Sequence, residues 1–195
     1  NGVRFPVVNS CANDKMELPD RFLLYVARVV QWKRQERAVE LLAHYRRKYQ
    51  EEIFLLLVGQ ADSGEHGYLN RVLVLASELG VRDCVRYLGE LDSDSVCNLY
   101  THKGCLACLS FYDIGNKGNV SLEIMAAGGV LLALNDSSLD NIVKSGINGF
   151  LINDMKQGAD IVYSLLHDSK KAIEIGNDAK STIQRLAGSW DERVE

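Results

Sequence analysis

The sequence has 195 residues, a length that fits one compact domain. Hydrophobic residues make up 47% and charged residues 25%, the balance of a globular chain, which excludes intrinsic disorder, collagen and an extended coiled coil. The 22 basic against 26 acidic side chains leave a net charge of −4, so no global field draws the chain to nucleic acid, and no apolar run approaches the roughly 20 residues of a membrane-spanning helix.

Residues 1–20 hold both prolines, Pro6 and Pro19, and show little periodicity; they read as a lead-in segment. The first residue is Asn1 and no apolar leader follows it, so the chain is expected to be a piece of a longer protein. Residues 21–195 then alternate short aliphatic runs with longer amphipathic stretches. Strands are expected at 22–27, 53–58, 85–88, 106–110, 130–134 and 150–152, each nearly continuous in apolar residues, as in a parallel sheet covered on both faces. The helix after the first strand, opening near Gln35, places Ala38, Leu41, Leu42 and Tyr45 on one face, and Leu69, Val72, Leu73 and Ala76 repeat the pattern in the next, with Gly80 as its stop. Further helices are expected at about 93–102, 120–127, 139–144, 159–167 and 170–186. The economical architecture is a single Rossmann-like, doubly wound α/β domain of about six parallel strands.

Five cysteines, an odd number, lie in or beside apolar segments, which fits a reducing, cytoplasmic setting and no disulfide framework. His102, Cys105 and Cys108 have a spacing that superficially suggests a metal cluster. In a regular strand, however, positions i and i+3 point to opposite faces, so the two thiols are expected to be separate core residues and no metal site is read. His44, His66 and His167 have no matching nucleophile and are read as surface residues, while Tyr45, Tyr49 and Tyr163 are read as packing residues.

An open parallel sheet binds ligands outside the carboxyl ends of its strands. Arg28 directly follows the first strand and Lys33 comes five residues later. A guanidinium and an ammonium from one loop suit the two phosphates of a diphosphate, although each alone is more often a solvated charge. After the fourth strand, Gly115-Asn116-Lys117-Gly118-Asn119-Val120-Ser121-Leu122-Glu123 joins glycine flexibility to a helix N-terminus, a setting for phosphate or sugar. It is neither GxGxxG nor a P-loop. Glu123, in the first turns of an otherwise apolar helix, suits a ribose diol as well as it suits the helix dipole.

In this order the pieces resemble the C-terminal, donor-binding half of a GT-B, family 4 retaining glycosyltransferase. The resemblance runs through Asn1-Gly2-Val3, Tyr25-Val26-Ala27-Arg28 with Lys33, Leu57-Val58-Gly59, Val85-Arg86-Tyr87-Leu88-Gly89, Ser121 to Gly128 (similar to "LEAMAxG"), Asn141-Ile142-Val143 with Gly146-Ile147-Asn148-Gly149-Phe150, and Ser189-Trp190. It implies that Arg28 and Lys33 hold the donor diphosphate and act in catalysis, that Glu123 binds the ribose, and that the backbone near Leu91 meets the base. Gly59 would join the donor site, and the Gly118, Asn119 and Val120 amides would face phosphate or sugar. It further implies a nucleotide-sugar substrate such as a UDP- or GDP-sugar, no metal ion or other cofactor, and glycan biosynthesis. The acceptor, a glycan or lipid-linked glycan, would be bound by an N-terminal domain preceding Asn1, and the longer protein would be cytoplasmic or peripheral to a membrane.

Four positions depart from the family pattern. Gly115 stands where the family has its first Glu, with Asp113 two residues earlier as the substitute for a sugar contact; Ser137-Ser138 replaces Gly-Gly and Asn141 replaces Glu. A sugar-nucleotide epimerase of the same fold, or a nucleotide-binding domain without turnover, are the alternatives to transfer.

Overall fold

The computed structural model describes residues 17–61, 66–113, 115 and 118–191, without the side chains of 66 and 188–191. Most of the lead-in segment, Asn116, Lys117 and the Ser189-Trp190 side chains therefore lie outside the described residues.

Six strands, β1 (Phe22–Val26), β2 (Phe54–Val58), β3 (Val85–Gly89), β4 (Cys105–Ser110), β5 (Leu131–Leu134) and β6 (Phe150–Ile152), form one parallel sheet in the order β3-β2-β1-β4-β5-β6. Each expected strand is present within one residue at either end. Helices α1 (Gln35–Tyr49), α2 (His66–Glu78) and α5 (Met155–His167) cover one face, where Leu23, Tyr25, Leu55 and Leu109 meet Leu41, Tyr45, Val72 and Val162. Helices α3 (Ser93–Tyr100) and α4 (Asn119–Ala127) cover the other, together with the later part of α6 (Ser169–Asp191). The apolar face read for α1 is buried throughout, and Gly80 takes a left-handed φ of 71° just past α2.

α6 passes from one layer to the other: Ile175 joins the first core, Ala179 and Ile183 the second. It does so by laying Gly176 against Gly128, the glycine that ends α4. A Cβ on Gly176 would lie 2.2 Å from the Gly128 carbonyl oxygen, so only glycine permits the approach.

Two expectations are corrected. Residues 139–144 do not form a helix. The Leu139 carbonyl accepts from the Ile142 and Val143 amides (2.9 and 2.8 Å), making a single turn, and the Asn148 side chain then intervenes. Asn148 is buried; its Oδ1 accepts from the Lys144 amide at 2.7 Å and its Nδ2 donates to the Ile142 carbonyl at 3.0 Å. These are the backbone groups that the next helical turn needs, so β5 reaches β6 through turns alone.

The second correction concerns Cys105 and Cys108. Phe22 pairs with Cys105 but Leu23 pairs with Ala107, which leaves Leu106 as an extra residue in β4. That bulge reverses the alternation. Leu106 and Ala107 both turn to the first core, and Cys105 and Cys108 both turn to the second, with their Sγ atoms 3.7 Å apart.

Candidate functional site

β1 and β4 are neighbours whose following helices, α1 and α4, leave toward opposite faces. Their diverging loops open the crevice at the topological switch point of the sheet.

The loop after β1 carries both cations named from the sequence. Its backbone is tightly held: the Val29 amide donates to Gln60 (2.9 Å), Lys33 to Val30 (2.9 Å), and the Gln35 side-chain amide to the Arg28 carbonyl (2.9 Å). Arg28 is exposed. The Lys33 ammonium lies 3.4 Å from the centre of the Tyr112 ring and 4.1 Å from that of Trp32, a cation–π arrangement joining both loops. Partial burial, followed by repulsion from Arg28, lowers its pKa to about 8. The two cations thus feel each other, and among the described residues no carboxylate offsets the lowering at Lys33.

Asp113, at the end of β4, has its carboxylate occupied. Arg34 Nε approaches both oxygens at 2.8 Å and Arg37 donates at 3.1 Å, which together hold the Asp113 carboxyl below the usual carboxylate range, the Arg34 hydrogen bond first among the causes. Arg37 also donates to the Phe111 carbonyl at 2.9 Å. Asp113 therefore clasps the start of α1 to the loop that follows β4, its carboxylate paired with two guanidinium groups.

Tyr25 reinforces that junction from below. Its buried hydroxyl donates to the Lys33 carbonyl and accepts from the Phe111 amide at 3.2 Å, so one side chain ties both switch-point loops. Sequence reasoning named Tyr25 only within a motif and missed Arg34, Arg37, Trp32 and Tyr112. Their contacts across the junction join residues some 75 to 80 positions apart, and no local pattern encodes such pairs; Arg34 and Asp113, for instance, are 79 positions apart.

The loop after β4 is built on glycine. Gly115, at φ 80°, donates its amide to Asp136 Oδ2 at 3.0 Å, and Gly118 stands at the N-cap of α4 with no side chain to fill that position. Asn119 and Val120 open the helix. Ser121 is buried and bonds Ser110 at 3.1 Å, fixing α4 to the end of β4. Glu123, half-buried one turn along, lies close enough to Tyr112 for its charge to add to the burial that pushes that phenol up to about 12. Ser137, where the family pattern has glycine, takes a left-handed φ of 63°.

Gly59 and Leu91 continue the strand-end row. Gly59, at φ 137°, presses on β1: a Cβ there would fall 2.1 Å from the Ala27 carbonyl oxygen and 3.2 Å from the Arg28 nitrogen. Leu91 is half-buried between β3 and α3. Tyr112 thus links the two loops, its ring centre 3.4 Å from the Lys33 ammonium and its edge 3.7 Å from where a Cβ on Gly118 would lie, while Gly59 abuts Arg28 and Leu91 lies on the β3 side. Among the described residues, the one cluster of metal-ligating type is Glu52, Asp83 and Cys84, and Arg46 sits on it, 3.2 Å from Asp83 and 3.0 Å from the Cys84 sulfur. No helix among the described residues is long and apolar enough to cross a membrane.

Comparison with known proteins agrees with the fold. The family model for glycosyl transferases group 1 matches residues 13–182. A D-inositol 3-phosphate glycosyltransferase from Corynebacterium jeikeium is 27% identical over 148 residues, 75% of this chain and 34% of the relative. The sucrose-phosphate synthase of Thermosynechococcus elongatus superposes with a TM-score of 0.73 at 25% identity, over 87% of this chain and 42% of that one. Anabaena Alr3699/HepE, solved in complex with UDP and glucose, superposes with a TM-score of 0.69 at 21% identity, over 88% of this chain and 48% of that one. The chain therefore spans about a third to a half of the length of these proteins.

Proposed function

Because the chain belongs to the glycosyl transferases group 1 family, we propose that it is the donor-binding half of a family 4, retaining glycosyltransferase, with Arg28 and Lys33 gripping the diphosphate of a nucleotide-sugar. The observation that carries this reading is the placing of those two cations in the loop after β1 at the switch point, where partial burial and then repulsion from Arg28 lower the Lys33 pKa to about 8. A diphosphate placed between them brings negative charge to both and relieves their repulsion. As the glycosidic bond to phosphate lengthens, charge grows on the leaving oxygen, and cations already positioned there stabilise it without reorganisation. In this reading no metal ion is required for that task.

The remaining assignments follow the crevice. The backbone amides at Gly118, Asn119 and Val120 face the phosphate or the sugar, and the α4 dipole favours the anion. Glu123 accepts hydrogen bonds from the ribose hydroxyls, the backbone at Leu91 meets the base, and Gly59 allows the ends of β1 and β2 to close beneath the nucleotide. Asp113 acts as a positioning residue through Arg34 and Arg37. A ligand of this class, UDP with glucose, occupies the similarly folded Anabaena protein. The acceptor and the second wall of the active site belong to an N-terminal half, in keeping with the share of its relatives that this chain spans. The 195-residue chain alone is thus expected to bind donor without transferring sugar.

The test is a thermal-shift screen of nucleosides, nucleoside diphosphates and nucleotide-sugars. A diphosphate at 100 times its dissociation constant stabilises the fold by about 2.7 kcal/mol. Equal shifts from nucleoside and diphosphate, or none from either, would overturn the reading.

A further inference from the structure

The bulge in β4 places two thiols together where the sequence pattern separates them. Cys105 and Cys108 share the face of the sheet that packs against α3, α4 and α6, with their sulfur atoms 3.7 Å apart. The two are unequal. Cys105 is part-exposed at the first position of the strand, next to the extra residue Leu106; Cys108 is fully buried, and burial followed by the neighbouring Cys105 raises its pKa well above the ordinary thiol range. Cys108 is thus held as a protonated thiol within reach of a partner that meets solvent.

From this geometry we propose that Cys105 and Cys108 form an oxidation site at which a hydroperoxide closes an intramolecular disulfide. Cys105, as thiolate, attacks the peroxide oxygen; the O–O bond breaks, Cys105 becomes a sulfenic acid, and the leaving hydroxide takes a proton to become water. The Cys108 sulfur then attacks the Cys105 sulfur. The new S–S bond forms as the S–O bond breaks, and the Cys108 proton leaves with the hydroxyl as a second water. Two thiols lose two electrons and two protons in all, and one hydrogen peroxide is reduced to two waters.

The final approach requires the start of the strand to move. A disulfide needs its sulfur atoms about 2.05 Å apart. The mover is Cys105, whose strand position is already irregular, whereas Cys108 is anchored by pairing with Leu24 on one side and Leu131 on the other. A regular strand offers no such route, because its i and i+3 side chains diverge. The site stands apart from the donor crevice: Cys105 begins β4, and the crevice lies beyond Ser110, where β4 ends.

One tryptic peptide isolates the chemistry, since cleavage after Lys103 and Lys117 releases residues 104–117 with Cys105 and Cys108 as its two cysteines. The full chain is exposed to a stoichiometric amount of hydrogen peroxide, denatured, alkylated with N-ethylmaleimide, digested and weighed. Most of this peptide is expected to be unalkylated and two hydrogens lighter than its dithiol form, and dithiothreitol is expected to return it. In Cys105→Ser the buried Cys108 stays reduced; in Cys108→Ala, Cys105 stops at a sulfenic acid that dimedone traps. Recovery of the wild-type peptide with both thiols alkylated, or a bridge instead from Cys105 to Cys97, the part-buried cysteine of α3, would overturn the proposal. The wild-type measurement decides it even where a variant folds poorly.

Discussion

The loops that meet at the switch point are built in opposite ways. After β1, the amides of Val29 and Lys33 and the carbonyl of Arg28 are taken up within the protein, so this loop presents side chains, a guanidinium and an ammonium. After β4, Gly118 brings no side chain to the N-cap of α4, so this loop presents backbone. By contrast, α3, α5 and α6, which start elsewhere, have first-turn amides satisfied by Asp92, Asp154 and Asp168. Carboxylate caps stabilise those helices. At α4, the same cap would place a negative charge where the proposed ligand brings its own. In the proposed reading one side of the crevice recognises by formal charge and the other by oriented dipoles, so each can be tested separately.

The largest expected effect comes from the charged side. Arg28→Ala or Lys33→Ala should weaken nucleoside diphosphate binding tenfold or more and leave nucleoside binding nearly unchanged, since charge-assisted hydrogen bonds are worth about 1.5 to 3 kcal/mol each. Titration calorimetry with both ligands checks this, and equal losses for the two would mean that the cations support the fold instead.

On the backbone side, Glu123→Gln should cost about 1 to 3 kcal/mol of ribonucleotide affinity by mispairing one hydroxyl. The loss should shrink for a 2′,3′-dideoxy nucleotide. Undiminished ribonucleotide binding would remove Glu123 from the site.

Tyr25→Phe breaks the tie between the loops. The Phe111 amide loses its buried acceptor, and chemical denaturation should show a stability loss of about 1 to 3 kcal/mol. Because Lys33 also loses the bond to its carbonyl, diphosphate affinity is expected to fall along with stability. Stability lost without any change in affinity would show that the loops are positioned independently.

pH separates the cost of the charged side from its use. The Lys33 pKa is lowered in the folded protein, so the unfolded chain holds that proton more tightly. The charged ammonium works against folding below about pH 8, and that penalty lifts as pH rises from about 8 toward the ordinary lysine value. Stability contributed by this group should therefore rise over that range while diphosphate affinity falls, and both trends should vanish in Lys33→Ala.

The smallest effect is expected at Asp113→Asn. Its ion pairs are more than a third exposed on the Asp113 side, and pairs of that kind contribute about 0.2 to 1 kcal/mol. Its depressed pKa means that this contribution is present above the ordinary carboxylate range and is lost as pH falls through the lowered value. A Tm difference between parent and variant that closes in acid is the expected result.

What was legible in the amino-acid order was local or periodic. Four of the six strands are unbroken apolar runs and β4 is apolar up to Ser110, and α1 has Ala38, Leu41, Leu42 and Tyr45 on one buried stripe, because burial on both faces of a parallel sheet demands those patterns of each segment separately. Arg28, Lys33 and Glu123 could be nominated for the same reason: a ligand meets the residues that follow strands, and strand ends can be read. Only the tertiary structure decided which strand ends lie together, since the adjacency of β1 and β4 follows from how the whole sheet is ordered. It likewise decided that Asp113 faces Arg34 and Arg37, that Tyr25 bridges two loops, and that Asn148 halts the turn after β5. The Cys105–Cys108 pair shows the physical reason most plainly. Alternation along a strand belongs to that strand, but a bulge arises from the register between β1 and β4, and one unmatched residue, Leu106, turned every later side chain of β4 to the other face.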